Sequence, residues 1–324
     1  MKKRITALLL AALCLLTATA CRTTKPEADG RPTVVATNFA LYDFARSVAG
    51  DDCRVEMLIA PGSEAHDYEL TLSDTARVAD ADLLVYVGGE GEDWIGDLLA
   101  VMDPQKDNPA LLCALDCVTG LEEEMAFGMQ TDGEEEEEGA IDEHVWTSLE
   151  NAALITRGIA EALSDLDPAN ADGYAARCEA YCTELDLIRT DMAEMMKTAA
   201  RKTIVVADRF PFRYLTEELG LDYAAAFSGC SSNVEPTLAT VNTLIELVKR
   251  EEIPVIFVTE LSDGKTAQAV AAETGAEIRT LYAAHNVTKL EFNEGVTYLD
   301  LMRRNLASLS HALGAATEGA EVIA

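Results

Sequence analysis

Short β-rich runs alternate with helical stretches along this chain, except between Ser148 and Thr198, where no strand is visible. That interruption constrains the fold more than any other feature. Before it, strands are expected at 33–37, 55–59, 83–87 and 110–115. Helices are expected there at 40–49, from an N-cap at Ser73 to Val78, and at 94–102. After it, strands are expected at 203–207, 221–225, 255–259 and 277–281, with helices at 212–219, 238–250, 265–274 and 296–313. Strands joined through helices in this way run parallel, so each arm should be a mostly parallel sheet flanked by helices. Inside the interruption one helix covers 148–164, and Asp167-Pro168 opens a second, with proline near the first position where its missing N–H costs little. Running to about residue 198, that helix would be roughly 46 Å long. Leu185, Ile188, Met192, Met195 and Met196 fill one broad stripe on it, so it should pack on its own lobes as a strut. The expected fold is α/β: two βα lobes, 33–166 and 201–324, joined by a linking helix over 167–200, with a cleft between them. Such a helix should restrict hinge opening and leave ligand capture and release to loop movement. Ligands in open parallel sheets sit beyond the carboxyl ends of strands, so the residues just after each strand are the ones to read for function.

Residues 1–20 read as an export signal rather than as fold. Met1-Lys2-Lys3-Arg4 is a basic start, 5–16 is an apolar run too short for a comfortable membrane span, and Ala18-Thr19-Ala20 precedes Cys21. A Cys directly after small residues resembles a bacterial lipobox, in which Cys21 is lipidated and becomes the mature N-terminus. Residues 21–32 would then be a flexible, lipid-anchored tether. Acidic residues outnumber basic ones 57 to 25, a formal charge of −32. Nucleic acid is therefore a poor partner, because its phosphates are bound by an excess of Lys and Arg, whereas cations are tolerated. With Cys14 and Cys21 set aside, Cys53, Cys113, Cys117, Cys178, Cys182 and Cys230 remain as buried thiols or as structural disulfides whose pairing the spacing does not settle.

There are only four histidines. His66 lies beyond the second strand in Pro61-Gly62-Ser63-Glu64-Ala65-His66-Asp67-Tyr68-Glu69. His144 sits in Asp142-Glu143-His144-Val145-Trp146, just before a helix, and His285 follows the last strand. These three fall on loops at one edge of the two sheets, and neutral imidazole is the commonest protein ligand for transition metals near neutral pH. His311, within the terminal helix, is expected to be an ordinary side chain. An acidic loop over 132–143 contains five consecutive glutamates, Glu134 to Glu138, whose mutual repulsion prevents local folding. It is either a solvated loop or a flap that concentrates cations ahead of His144.

The Pro-Gly-x-x-x-His-x-Tyr-Glu setting of His66 and the Asp-x-His-x-Trp setting of His144 resemble the first and second metal-ligand motifs of the zinc/manganese solute-binding proteins of ABC importers. The acidic loop before His144 is similar to the acidic or His-rich loop of the zinc-binding branch. The resemblance covers nearly the whole chain after the signal, through the long helix to Tyr298-Leu299-x-Leu301-Met302-Arg303-Arg304-Asn305-Leu306. Asp-Pro usually precedes the first His, where Glu64-Ala65 stands here. The C-terminal half departs further. Arg209 occupies the position of the third ligand, and a guanidinium cannot coordinate a cation; Asp208 beside it is the substitute. The fourth ligand, an Asp after the last strand, is Tyr282 here, and His285 three residues on is its replacement. The resemblance thus implies a metal site of His66, His144, His285 and Asp208, with Glu260 placed to orient His285.

Three imidazoles and a carboxylate suit Zn²⁺ in a tetrahedron, with bonds of about 2.0–2.2 Å. Mn²⁺ is the alternative, and it prefers more oxygen donors. What the resemblance implies is an extracytoplasmic, lipid-anchored receptor, not an enzyme, that delivers Zn²⁺ or Mn²⁺ as cargo to the permease and ATPase subunits of an ABC importer. Two other classes stay open at this point. Receptors for larger metal chelates, such as siderophores or haem, share this architecture, and Arg209 could clamp a chelate's carboxylate. Three His with an open fourth position also suit a zinc hydrolase with Glu260 as base, although no His-Glu-x-x-His helix is present.

Overall fold

The apolar runs pair as parallel strands, and in the central strands of each sheet the side chains alternate between two buried faces. A computed structural model describes residues 30–64, 68–102, 109–130, 139–229 and 235–316. The signal and the tether up to residue 29, residues 65–67 with His66, the glutamate run and Cys230 lie outside the described residues. Strands β1 (Thr33–Ala36), β2 (Arg54–Met57), β3 (Leu83–Tyr86) and β4 (Ala110–Cys113) form one parallel sheet in the order β2-β1-β3-β4. Strands β5 (Thr203–Val206), β6 (Asp222–Ala225), β7 (Val255–Val258) and β8 (Glu277–Thr280) form a second in the order β6-β5-β7-β8. The register sets Val34 beside Val55 and Leu83 in the first sheet, and Val206 beside Ala225 and Phe257 in the second. In β1 Val34 and Ala36 face one core cluster while Val35 faces another; in β5 Ile204 and Val206 face inward while Val205 packs on the outer side. Burial on both faces is what a parallel sheet requires, and it explains why these strands read as near-continuous apolar runs.

The helices of the first lobe are α1 (Phe39–Ala49), α2 (Leu72–Ala79) and α3 (Trp94–Val101). Thr71, not Ser73, caps α2: its hydroxyl accepts the Asp74 N–H while the Asp74 carboxylate accepts the Thr71 N–H, a reciprocal box that outcompetes a lone serine. Two helices then cross the middle, α4 (Leu149–Leu166) and, after a 3₁₀ turn at Pro168–Asn170, α5 (Ala171–Thr198). With 28 residues α5 is roughly 42 Å long. Its buried stripe begins at Tyr174, well ahead of Leu185. The second lobe carries α6 (Arg213–Leu219), α7 (Leu238–Arg250), α8 (Lys265–Thr274), α9 (Lys289–Glu294) and α10 (Tyr298–Leu313). The helix expected over 296–313 is α10, which starts two residues later, and the short α9 ahead of it was not expected. Gly295, at φ 78°, ends α9 in the left-handed conformation, and Thr297 caps a new start.

One continuous core unites these parts, joining Val34 and Phe44 through Trp146 and Leu185 to Phe257 and Tyr298. A buried carboxylate fastens it. Asp43 on α1 accepts the Tyr181 hydroxyl of α5 at 2.8 Å and the Tyr298 N–H of α10 at 2.9 Å, and it pairs with Arg46. A charge this deep is stable only when paired and hydrogen-bonded in this way. The described cysteines, Cys53, Cys113, Cys117, Cys178 and Cys182, are free thiols, with the Cys178 and Cys182 sulfurs 3.9 Å apart on one face of α5. Among the described residues no helix is long and apolar enough to cross a membrane.

Candidate metal centre

The loops that leave the carboxyl ends of both sheets meet around a cleft of about 390 Å³. His144 lies behind it, where the chain turns into the 3₁₀ segment Val145–Thr147, and its ring is fully buried. Asp142 Oδ1 accepts the His144 N–H at 2.8 Å and stands 3.2 Å from Nδ1. A proton on Nδ1 shared with that carboxylate leaves the lone pair for a metal on Nε2. Burial opposes protonation of the ring, but the negative charges of Asp142, Glu143 and Glu123 outweigh it, and the pKa rises above the ordinary 6.5. A Cβ at Gly229, beyond β6, would fall 3.0 Å from the ring's Cε1 and Nδ1 and 3.1 Å from the Phe210 carbonyl, so glycine is what lets that loop pass.

His285 comes from the opposite lobe. Its ring centre is 5.7 Å from that of His144 and 5.0 Å from that of Trp146. With zinc–nitrogen bonds of about 2 Å, two imidazoles on one tetrahedral ion have centres roughly 5 Å apart, close to the spacing seen here. The loop that holds His285 is clamped from several sides. Glu260 accepts the N–H groups of Ala283 at 2.8 Å and His285 at 3.1 Å, one on each oxygen. Burial pushes the Glu260 carboxyl up to about 7 despite these amides. Trp146 Nε1 donates to the Ala283 carbonyl at 2.7 Å. The N–H groups of Phe39 and Ala40, left over at the start of α1, donate to the carbonyls of His285 and Ala284. These bonds hold Ala284 at φ 58°, a strained value for a residue with a Cβ.

The same loop grips the segment that leads to His66. Asn286 Nδ2 donates to the carbonyls of Ala60 at 2.9 Å and Ser63 at 2.8 Å, and the Gly62 N–H donates to the Val287 carbonyl. Two departures from the resembled pattern meet across the cleft, where Arg209 forms an ion pair with Glu64 at 3.4 Å. Asp208 lines the cleft with both oxygens engaged: the Thr259 hydroxyl donates to Oδ2 at 3.0 Å and the Arg209 N–H to Oδ1 at 2.9 Å. It ties β5 to β7, the point where the strand order reverses. In the first lobe Glu92 accepts the N–H groups of Val87 and Gly88, just beyond β3, and burial pushes its carboxyl up to about 7.

The structure therefore brings His144 and His285 together and keeps Glu260 beside His285, but it does not gather Asp208 with the two rings. Among the described residues no three His, Cys, Asp or Glu side chains converge on one point. His311 stands on the surface, its Nε2 3.0 Å from Glu277. Asp142, Trp146 and Asn286, which contact the two histidines or fasten their loops, were not among the expected site residues. Their only signal was adjacency, since two flank His144 within its motif and one follows His285.

A family profile described as "Zinc-uptake complex component A periplasmic" (ZnuA) matches residues 34–312. The chain is 33% identical over 303 residues to the zinc-binding lipoprotein AdcA of Streptococcus pneumoniae, covering 93% of this chain and 60% of that protein. It thus spans about 60% of that relative's length. It is 30% identical over 324 residues to the high-affinity zinc uptake system protein ZnuA of Bacillus subtilis, covering 97% of this chain and 99% of that one. The solved Zn(II)-bound ZnuA-like domain of Streptococcus pneumoniae AdcA matches with a TM-score of 0.73 and 29% identity over 88% of this chain and 99% of that domain. By sequence and by fold, the chain belongs to the ZnuA family of zinc-uptake components.

Proposed function

We propose that this chain captures Zn²⁺ outside the cytoplasm and passes it to the permease and ATPase of an ABC importer. One observation carries the reading: imidazoles from two different lobes, His144 and His285, face each other 5.7 Å apart where the two sheets open. His66 is the third ligand by its motif, and the segment before it is fastened to the His285 loop by Asn286. The fourth position goes to Asp208 or, while Thr259 keeps that carboxylate, to water. Three nitrogen donors favour Zn²⁺ over Mn²⁺. The lobes meeting on the ion are 33–166 and 201–324, joined by 167–200. Lipid on Cys21 holds the receptor at the membrane, and the acidic loop raises the local zinc concentration. A hydrolase does not sit with a family of uptake components, and a receptor for a bulky chelate has no need of two facing imidazoles.

Calorimetric titration of Zn²⁺ into His66→Ala, His144→Ala and His285→Ala tests the site. Each substitution should weaken binding by orders of magnitude, while His311→Ala leaves it unchanged. Wild-type affinity in any of the first three removes that residue from the site, and in His66→Ala or His144→Ala it rejects the site altogether. Asp208→Asn decides the fourth position, since a loss below threefold assigns it to water. Metal analysis of protein purified without added metal should find zinc rather than manganese.

A further inference from the structure

A feature shared by the two lobes lies outside the metal centre. The two most exposed large apolar side chains among the described residues are Leu72, 92% exposed, and Leu238, 84% exposed. They occupy the same place in lobes of the same strand order: each is the first residue of the helix that follows the second strand, α2 after β2 and α7 after β6. The neighbouring residues repeat too, as Glu69-Leu70-Thr71-Leu72 and Glu235-Pro236-Thr237-Leu238. Each Thr caps its helix by accepting an N–H three residues on, from Asp74 or Thr240, at 3.2 Å in both cases. The caps fix where each leucine stands. Helices that follow parallel strands begin at the carboxyl edge of the sheet, the edge at which both lobes open to the cleft, and Glu235 and Pro236 line that cleft.

A lone exposed leucine calls for no explanation. Two at matched positions, each with an exposed glutamate three residues before it, do. The folded chain does not use either side chain, because both are open to solvent and a polar residue would serve the first helical turn as well. A knob presented once by each of two similar lobes fits a partner that presents one socket twice.

We propose that Leu72 and Leu238, rimmed by Glu69 and Glu235, are the docking knobs for the outer face of the ABC permease, which supplies two apolar sockets edged with basic residues. This rests on the uptake reading above. Charge favours such a protein surface over lipid, since a chain of formal charge −32 is repelled by an anionic membrane and attracted by a basic rim. An apolar anchor inside a charged rim is the arrangement in which a few residues carry most of the binding energy. With one knob on each lobe, the cleft mouth lies between the two attachment points, so cargo released by the loops faces the permease.

The test uses the cognate permease–ATPase complex in nanodiscs of uncharged lipid, with zinc-loaded Leu72→Asp, Leu238→Asp and the double variant. Leu187→Asp, at an exposed site on α5, is the control. Each single change should weaken binding at least about tenfold, and the double change should abolish both binding and ATPase stimulation. Zinc affinity and melting temperature should match the wild type throughout. A double variant that binds and stimulates normally overturns the docking surface alone. A wild type that holds zinc yet never engages the complex overturns the uptake reading as well. Wild-type adhesion to protein-free vesicles that the double variant loses would assign the leucines to lipid, and a wild-type dimer in sedimentation that the variant dissolves would assign them to a second copy; either overturns the proposal.

Discussion

The two lobes arrange four strands in the same order, yet they supply the metal centre in different ways. In the first lobe His144 is held by its near neighbour Asp142, and Glu92 braces the strand ends from within the same lobe. In the second lobe the corresponding strand end carries Asp208 and Arg209, and the imidazole that faces His144, that of His285, sits on a loop gripped largely from outside by Trp146, Phe39 and Ala40. The ring of His144 is thus set by a carboxylate of its own motif, although Tyr214 and Tyr298 of the second lobe donate to the carbonyls of Asp142 and Trp146, whereas the His285 loop leans on the first lobe. The Arg209–Glu64 ion pair adds a charged link between the lobes across the cleft.

This contrast can be broken by measurement. The largest effect should come from the fully buried ring of the first lobe: His144→Ala is expected to weaken Zn²⁺ binding about a thousandfold (roughly 4 kcal/mol). His285→Ala should cost about a hundredfold by the same calorimetry. A reversal of that order would show that the second lobe, not the first, dominates. Glu260→Gln removes one of the two acceptors that hold the His285 loop, and should weaken binding about ten- to a hundredfold without removing a ligand.

The pH dependence sharpens the comparison further. Zinc needs the neutral imidazole, and the pKa of His144 is raised, so affinity should be level at high pH and begin to fall while the pH is still above 6.5. Asp142→Asn removes the largest charge that favours the proton, and competition titrations should then show the fall beginning at lower pH. Glu92 bears on folding instead. Its carboxyl is raised from 4.5 to about 7, so the folded state binds the proton more tightly than the unfolded chain. Its stabilising contribution is complete below about pH 4.5 and is lost as the pH rises towards 7. Glu92→Gln should therefore add about 1–3 kcal/mol at pH 8, read from urea unfolding, and little at pH 4.5. The smallest effect belongs to Arg209→Met: a partly exposed ion pair is worth at most about 1 kcal/mol, so zinc dissociation in stopped flow should quicken no more than about fivefold.

Most of the scaffold was legible because its signals are local. Alternating apolar runs placed all eight strands within about two residues of where they lie, and the strand-free interval marked the long helix. The helix α9 was missed because it is only six residues long, opened by the Thr288–Glu291 capping box and closed by Gly295, too short to show a helical period. The site was legible only in its histidines. Trp146 meets Ala283 across 137 positions, Asn286 meets Ala60 across 226, and the Thr259 hydroxyl reaches Asp208 across 51. Contacts that depend on tertiary approach leave no periodic trace in the sequence, which is why Asp208 read as a ligand before its bonds to Thr259 were visible.

Each lobe carries a four-stranded sheet and an apolar cluster of its own, but the largest part of the interior is shared between them. Trp146 and Phe44 from one side and Tyr298 and Phe257 from the other fill a single hydrophobic mass that α4 and α5 run through. Cutting the chain at the linking helix would strip both fragments of half their packing partners and leave wide greasy faces exposed. Separately expressed halves should therefore aggregate, and co-expression should be needed to recover a soluble particle.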